Sequence, residues 1–132
     1  MTAHDATSHA VPLGSICWRI LGAVRAVFTS ARRRLPNRRA STSITFEMNG
    51  LAYTVTYSRF LGGGLAEVFL QNHRPGSGAD VNAHDSAIAA SFALQCGARA
   101  EDIRRALCRD SFGHALGPLG CALDLIAGED AP

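Results

Sequence analysis

Residues 41–58, STSITFEMNGLAYTVTYS, decide the fold, because two runs of alternating apolar and polar side chains flank an Asn-Gly pair. Alternation with a period of two is typical of a strand that buries one face. Asn49-Gly50 between two such runs is the strongest short signal for a tight hairpin, since both turn residues tolerate positive φ. The stretch therefore predicts two antiparallel strands joined by a two-residue turn.

The chain continues into a third predicted strand, AEVFL (66–70), after the glycine bend Gly62-Gly63-Gly64. Because this bend joins strand to strand, we interpret it as a hairpin connection and not as a phosphate loop, which would open a helix. Three segments with helical spacing follow: SAIAASFALQC (86–96), ARAEDIRRALCRD (98–110) and GPLGCALDLIAG (117–128). The predicted fold class is α+β, with a three-stranded antiparallel meander followed by two to three packed helices.

The ends of these helices carry their own signals. Asp80 or Asn82 is the predicted N-cap of the first helix, and Gly97 is its predicted left-handed end. Pro118 suits the first position of the last helix, because its missing N–H leaves no bond unmade there. Gly120 lies inside that helix and predicts a close approach to another part of the backbone.

Length and charge set the broad class. The 132 residues suffice for one small domain, and no apolar run reaches the roughly 20 residues of a membrane-spanning helix. All 13 basic residues are arginine, and 11 acids leave a net charge of +2. Residues 1–39 contain seven Arg against Asp5, whereas residues 40–132 contain six Arg against ten acids. We therefore expect a mildly acidic domain at 41–128 and a basic, Arg-rich leader at 1–40.

The leader combines one predicted amphipathic helix with a basic end, and we expect it to be only partly ordered. Its apolar stripe runs from Ile16 to Phe28 at helical spacing. A signal peptide carries its positive charge before the apolar region, whereas here the charge lies inside and behind it, so export is not expected. The basic end is a candidate contact for nucleic acid or for an anionic membrane surface. Its arginines are Arg32, Arg33, Arg34, Arg38 and Arg39. Packing of the leader on the domain or on a partner is the simpler interpretation.

Four cysteines and five histidines lack the close pairing typical of zinc ligands, so no metal ligand is predicted. Cys96 and Cys121 fall in apolar helical patterns and are expected to pack in the core. Such thiols suit a reducing compartment, and we expect a cytoplasmic protein. No residue is predicted to be catalytic.

The second glycine bend, RPGSGAD (74–80), differs from the first because it leads from a strand into a helix. That order suits anion binding at a helix N-terminus. The bend lacks both the Lys-Ser/Thr pair of a nucleotide P-loop and the GxGxxG spacing of a dinucleotide fold. Phosphate contact through Arg74, Ser77 and Gly78 is one interpretation of it.

The order of these pieces is similar to that of a known family. The pieces are YTVTYS (53–58), AEVFL (66–70), PGSGAD (75–80), the helix 86–96 with GARAEDIRRAL after it, and GPLGCALDLI (117–126). Over residues 45–126 they resemble the TSCPD domain, which occurs at the C-terminal end of vitamin B12-dependent, class II ribonucleotide reductases and in small stand-alone proteins. The resemblance implies a non-catalytic accessory or binding module linked to ribonucleotide reduction and deoxynucleotide metabolism.

The resemblance also bears on cofactors and partners. It implies a ribonucleotide reductase or a nucleotide as partner. Adenosylcobalamin belongs to the reductase relatives, and we expect no cofactor in this chain, because 132 residues cannot contain the reductase barrel. The motif that names the family is reduced here to Pro118, with no cysteine directly before it, so no redox role is expected from that motif.

We expect the binding site where the loop 74–80 meets the segment 117–120. The predicted site residues are Arg74, Ser77, Gly78, Asp80, Gly117, Pro118 and Gly120. Two other classes of function stay open, namely nucleic-acid binding through the leader arginines and a small redox or metal-binding protein. The latter would use Asp80, His84 and Asp85, or Cys108. Glu67 and Asp124 are expected to be structural carboxylates that meet water or an arginine.

Overall fold

A computed structural model describes residues 31–130 as a three-stranded antiparallel sheet followed by three helices, which confirms the predicted α+β class. The strands are β1 (Thr42–Met48), β2 (Leu51–Arg59) and β3 (Leu65–Asn72), in the order β1-β2-β3. The helices are α1 (Gly78–Gln95), α2 (Ala100–Ala106) and α3 (Pro118–Glu129). The amphipathic helix predicted in the leader lies outside the described residues.

The first hairpin forms as the alternating pattern predicts. Asn49 and Gly50 have φ values of 52° and 75°, so both residues of the turn occupy the left-handed region. Met48 lies opposite Leu51, and the pairing continues to Thr42 opposite Tyr57. The prediction of a tight Asn-Gly hairpin is confirmed.

The Gly62-Gly63-Gly64 bend joins β2 to β3, as predicted. The N–H of Phe60 donates to the carbonyl of Gly64 over 2.8 Å, and Gly63 turns the chain with a φ of 90°. A register shift between Ser58 and Arg59 marks an irregularity where the hairpin begins. The bend therefore serves the sheet and does not open a helix.

The core lies between one face of the sheet and helices α1 and α3. Val55, Val68 and Leu70 are its largest fully buried side chains. Helix α1 runs along β3 and presents small side chains to it, with Ala83 and Ala87 almost completely buried. Small residues let a helix approach a sheet closely. Of the bulkier apolar residues of α1, Leu94 is buried in the core, whereas Val81, Ile88 and Phe92 are exposed.

Helix α1 begins earlier than predicted. Ser77 is its N-cap, and the Ser77 hydroxyl accepts a hydrogen bond from the Asp80 N–H over 3.2 Å. The prediction of Asp80 or Asn82 as the cap was wrong, because Ser-Gly-Ala-Asp is itself a capping sequence with an acid three residues after the hydroxyl. Gly97, with a φ of 102°, confirms the predicted left-handed end.

Two predictions about the later part of the chain need correction. Helix α2 is shorter than the predicted 98–110, because the chain leaves helical geometry at Leu107 and Asp110 accepts the N–H groups of Phe112 and His114 in a loop. Cys96 is exposed and not in the core, since it follows the last buried turn of α1. Cys121 is partly buried, and its burial raises the pKa of its thiol.

Gly120 confirms the predicted close approach and supports a first mutational prediction. A Cβ at this position would lie 2.9 Å from the Cβ of Ala115, whereas a Cβ at Gly128 in the same helix would meet nothing within 4 Å. We expect Gly120→Ala to lower the free energy of unfolding by about 1–2 kcal/mol through overpacking. Gly128→Ala should raise it by about 0.5–1 kcal/mol through helix propensity. Urea unfolding of the two variants measures both changes, and changes of equal sign would contradict the packing argument.

Candidate functional site

The segment 31–40 forms one compact unit with the sheet and helices. The backbone N–H of Arg33 donates to the carbonyl of Gln95 over 2.8 Å, and Arg32 Nε donates to the Gln95 side-chain oxygen over 2.7 Å. The Arg32 guanidinium lies 3.8 Å from the ring centroid of Phe92, and that of Arg33 lies 3.9 Å from the ring centroid of Phe60. Cation–π contacts of this kind contribute about 0.5–2 kcal/mol each. The end of α1 and the end of β2 therefore hold the start of this segment.

A buried ion pair holds the other end of the segment. Glu67 is only 5% exposed on the face of β3 that points away from the helices, and Arg39 forms a salt bridge with its carboxylate. Arg39 also donates to the carbonyl of Pro36 over 2.9 Å, which fixes the turn of the segment. The expectation that Glu67 is a structural carboxylate that meets an arginine is confirmed.

A cavity of about 520 Å³ lies between this segment and the end of β2. Residues 33–42 without Asn37 line one side of it, and residues 57–61 line the other. Its five lining arginines are Arg33, Arg34, Arg38, Arg39 and Arg59, and no Asp or Glu is among the described residues that line it. We call this the arginine cavity.

The arginines of this cavity differ in what they already bind. Arg39 pairs with Glu67, and Arg59 pairs with Asp130 over 2.8 Å. Within residues 31–130, Arg33, Arg34 and Arg38 have no carboxylate partner, and the Arg33 guanidinium lies over the Phe60 ring. The guanidinium groups of Arg34 and Arg38 can therefore still bind an anion through paired N–H donors.

The predicted loop site is organised around Asp80. Its carboxylate accepts the N–H groups of Asn72 and of Gly76, each over 3.0 Å. The bond from Gly76, and then that from Asn72, lowers the pKa of Asp80. The Asp80 carboxylate is therefore ionised at neutral pH. Arg74 is exposed, and its backbone bonds within the loop: its N–H donates to Asn72 Oδ1, and its carbonyl accepts the Ser77 N–H. A carboxylate of the chain itself thus occupies donors that an added phosphate would need.

The other half of the predicted site packs against a different part of the chain. Gly117 is the N-cap of α3, Pro118 is its first residue, and Gly120 approaches Ala115 and Leu107. Across residues 31–130, no hydrogen bond joins the loop 74–80 to the segment 117–120. A ligand site at the seven residues named from the sequence stays a prediction.

The redox or metal-binding alternative has little local support. In the described part of the chain, no three His, Cys, Asp or Glu side chains are grouped to hold a metal ion. Ionised Asp80 accepts backbone bonds, and Cys108 is exposed in the loop after α2. His84 and Asp85 are exposed on α1.

Sequence reasoning missed Arg59 and Phe60 as neighbours of the leader arginines. Arg59 ends an alternating strand, and Phe60 precedes the glycine bend, so local pattern marks them only as the end of β2. The distance along the chain to Arg33 hides the Arg33–Phe60 contact. A signal was present in the clustering of five arginines within 32–39, which the sequence analysis assigned to a separate leader.

A second charged network joins α2 to α3 and gives a prediction about pH. Arg104 bonds both Glu101 and Asp124, and Arg109 donates to both oxygens of Asp124. The bonds from Arg104, and then from Arg105, lower the pKa of Glu101 to about 2. The bond from Arg109, and then that from Arg104, lowers the pKa of Asp124. As with Glu67, the expectation that Asp124 is structural is confirmed.

We expect this network to stabilise the fold above pH about 4.5 and to lose that effect as pH falls towards about 2. The folded-state pKa of Glu101 is depressed from 4.5 to about 2, so protons bind the unfolded chain first. Urea unfolding between these pH values measures the loss, and Glu101→Gln should show a shallower pH dependence than the unaltered protein. Equal slopes for the two proteins would contradict the assignment.

No helix in the region 31–130 has the length and apolar character that crossing a membrane requires. Comparisons with protein-family models, with curated proteins and with solved structures found no match to this chain.

Proposed function

We propose that this chain is a non-catalytic binding module that holds a nucleotide by its phosphates in the arginine cavity. The observation that supports this most directly is the lining of that cavity, with five arginines and no carboxylate among the described residues. A volume of about 520 Å³ suits a small molecule, since ligand pockets span about 300–1,000 Å³. The choice of a nucleotide rests on the resemblance to the TSCPD domain.

The electrostatics of the cavity favour phosphate over a neutral ligand. Arg34 and Arg38 carry unneutralised charge beside guanidinium groups that are already fixed in place by Glu67 and Asp130. Fixed neighbours lower the cost of ordering the site when an anion arrives. Planar guanidinium groups match phosphate oxygens through paired donors, so this lining suits a di- or triphosphate.

The resemblance also names the protein partner to examine next. A module that binds a nucleotide, and that resembles a domain of ribonucleotide reductases, would act together with such an enzyme. The absence of a clustered metal site among residues 31–130 is consistent with a binding role. In this proposal the arginine cavity is the ligand site, and the loop 74–80 is a second surface.

Calorimetric titration of the full-length protein with ATP, dATP and inorganic triphosphate tests the proposal. We expect binding that weakens as ionic strength rises, because the cavity is partly open to screening salt. Arg34→Ala and Arg38→Ala should each weaken nucleotide binding by about tenfold, which corresponds to about 1.4 kcal/mol. Arg105→Ala removes the same charge from α2 and should leave binding unchanged, which makes it the matched control.

The outcomes separate the two predicted sites. Loss of binding in Arg74→Ala, with none in Arg34→Ala, would transfer the ligand to the loop 74–80 and overturn the cavity proposal. Inorganic triphosphate bound as tightly as both nucleotides would contradict recognition of a nucleotide. No heat of binding with any of the three compounds would refute the proposed function.

A further inference from the structure

The two edge strands of the sheet, β1 and β3, differ in the hydrogen bonding of their outward backbone groups. Helix α1 satisfies some of the outward backbone groups of β3: the Ser91 hydroxyl accepts the Val68 N–H over 2.8 Å and donates to the Val68 carbonyl over 2.9 Å. The Asn72 N–H on the same edge is satisfied by Asp80. At the opposite edge, no backbone hydrogen bond within residues 31–130 reaches β1 from outside the β1–β2 pairing. Among residues 31–130, strand β1 therefore has an open edge.

The turn determines which groups of β1 point outwards. A two-residue turn is closed by a pair that exchanges hydrogen bonds, here Met48 and Leu51, and hydrogen-bonded pairs then alternate along the strands. The backbone groups of Ser43, Thr45 and Glu47 thus point away from β2. The same alternation places the backbone of Val68 outwards on β3, where Ser91 is observed to bond it.

Strand β1 also lacks most of the features that prevent an edge strand from pairing with another chain. It contains no proline, lysine or arginine, and its one charged residue, Glu47, lies near its end. The side chains on its core side are only half-buried, namely Ile44, Phe46 and Met48. Within residues 31–130, this edge therefore has a row of backbone donors and acceptors without partners. It also has an apolar face that is incompletely covered.

We infer that a second copy of this chain pairs with the open edge, β1 against β1, and extends the sheet to six antiparallel strands. A two-fold axis at Thr45 places Thr45 opposite its copy, Ser43 opposite Glu47 and Ile44 opposite Phe46. All outward backbone groups of the strand are then paired, apolar side chains meet apolar side chains, and polar ones meet polar ones. The strand specifies this occupant because, in this register, it is complementary to itself.

Charge and stacking agree with this register. The two Glu47 side chains lie opposite serines and about 13 Å apart, at about 3.3 Å per residue over four residues, which is beyond the Debye length at physiological salt. Phe46 already stacks on Tyr53 of β2 with a centroid distance of 5.6 Å. Ile44 of the second copy would cover the free side of that stack.

Sedimentation velocity of the full-length protein across a dilution series tests the inference. We expect a concentration-dependent dimer. In Thr45→Lys two like charges would face each other at the axis, where opposing Cβ atoms are about 5 Å apart, so the dissociation constant should rise by at least about tenfold. Gln71→Lys places the same charge on the exposed side of β3 and should leave the dimer intact.

A charge-swap mixture makes the test specific to the axis. Thr45→Lys and Thr45→Glu should each dimerise more weakly alone than the unaltered protein and should form a tighter mixed dimer when combined. A protein that is monomeric at all concentrations would overturn the inference, as would a dimer that Thr45→Lys leaves unchanged. Failure of the mixture to dimerise would overturn the proposed register, and circular dichroism of each variant shows that it is folded.

Discussion

Ser91→Ala is expected to lower the free energy of unfolding by about 2–4 kcal/mol. The Ser91 hydroxyl is 8% exposed and satisfies both the N–H and the carbonyl of Val68, at 2.8 and 2.9 Å. Alanine would leave a buried donor and a buried acceptor without partners, and each such group costs about 1–3 kcal/mol. Removal of one oxygen atom therefore breaks both hydrogen bonds between α1 and the backbone of Val68.

The matched control lies on the same helix. Ser86 donates only to Ala83, one turn earlier in α1, so Ser86→Ala should change stability by less than about 0.5 kcal/mol. Urea unfolding with an unchanged m-value would show that both variants unfold from the same folded state. Similar values for the two substitutions would show that the Ser91–Val68 bonds contribute nothing specific, and the edge argument would then fail.

The hairpin was predictable because its information is local. Alternation, Asn49-Gly50 and the glycine bend each act over a few residues, and the structure follows them. The start of α1 was predicted incorrectly for a related reason. Asp80 has the chemistry of a cap, yet Ser77 precedes it at the capping distance, and the helix begins at the first residue that can satisfy its free N–H groups.

The arginine cavity was not predictable from pattern, because its two sides are distant in sequence. Arg33 and Phe60 meet only after the segment 31–40 returns across the end of β2. Charge composition indicated a basic leader. It could not show that one of the leader arginines, Arg39, is neutralised by a salt bridge with Glu67. Five arginines within eight residues were therefore visible as a cluster, while their division into structural and unpaired groups was not.

The open edge of β1 follows from sequence only in part. Strand order and the turn type, both local, determine which backbone groups face outwards. The hydrogen bonds of α1 to the other edge could not be predicted from the sequence, because the contacts of Ser91 and Asp80 with β3 depend on how the helix packs. The same helix thus bonds to one edge of the sheet, and no helix within residues 31–130 makes such bonds to the other edge.

Arg39→Ala is expected to lower the free energy of unfolding by about 2–3 kcal/mol. Its guanidinium is the ion-pair partner of Glu67, whose side chain is 7% exposed, so the substitution would leave a charge buried and unpaired. Removing one member of a buried pair typically costs about 3–5 kcal/mol, and the 28% exposure of the Arg39 side chain reduces this. Thermal and urea unfolding of the full-length protein measure the change.

Arg38→Ala is the control that distinguishes a structural arginine from one that is available to bind a ligand. It removes the same charge from the next position, and no carboxylate within residues 31–130 pairs with Arg38, so stability should change by less than about 0.5 kcal/mol. The two substitutions should then have different effects: Arg39→Ala should lower the free energy of unfolding, and Arg38→Ala should weaken nucleotide binding. The double variant Arg39→Ala/Glu67→Gln should recover part of the stability, because it leaves no unpaired buried charge. If Arg38→Ala were as destabilising as Arg39→Ala, Arg38 would be a structural residue, and Arg34 alone among the described arginines of the cavity would remain as an unpaired guanidinium to bind a phosphate.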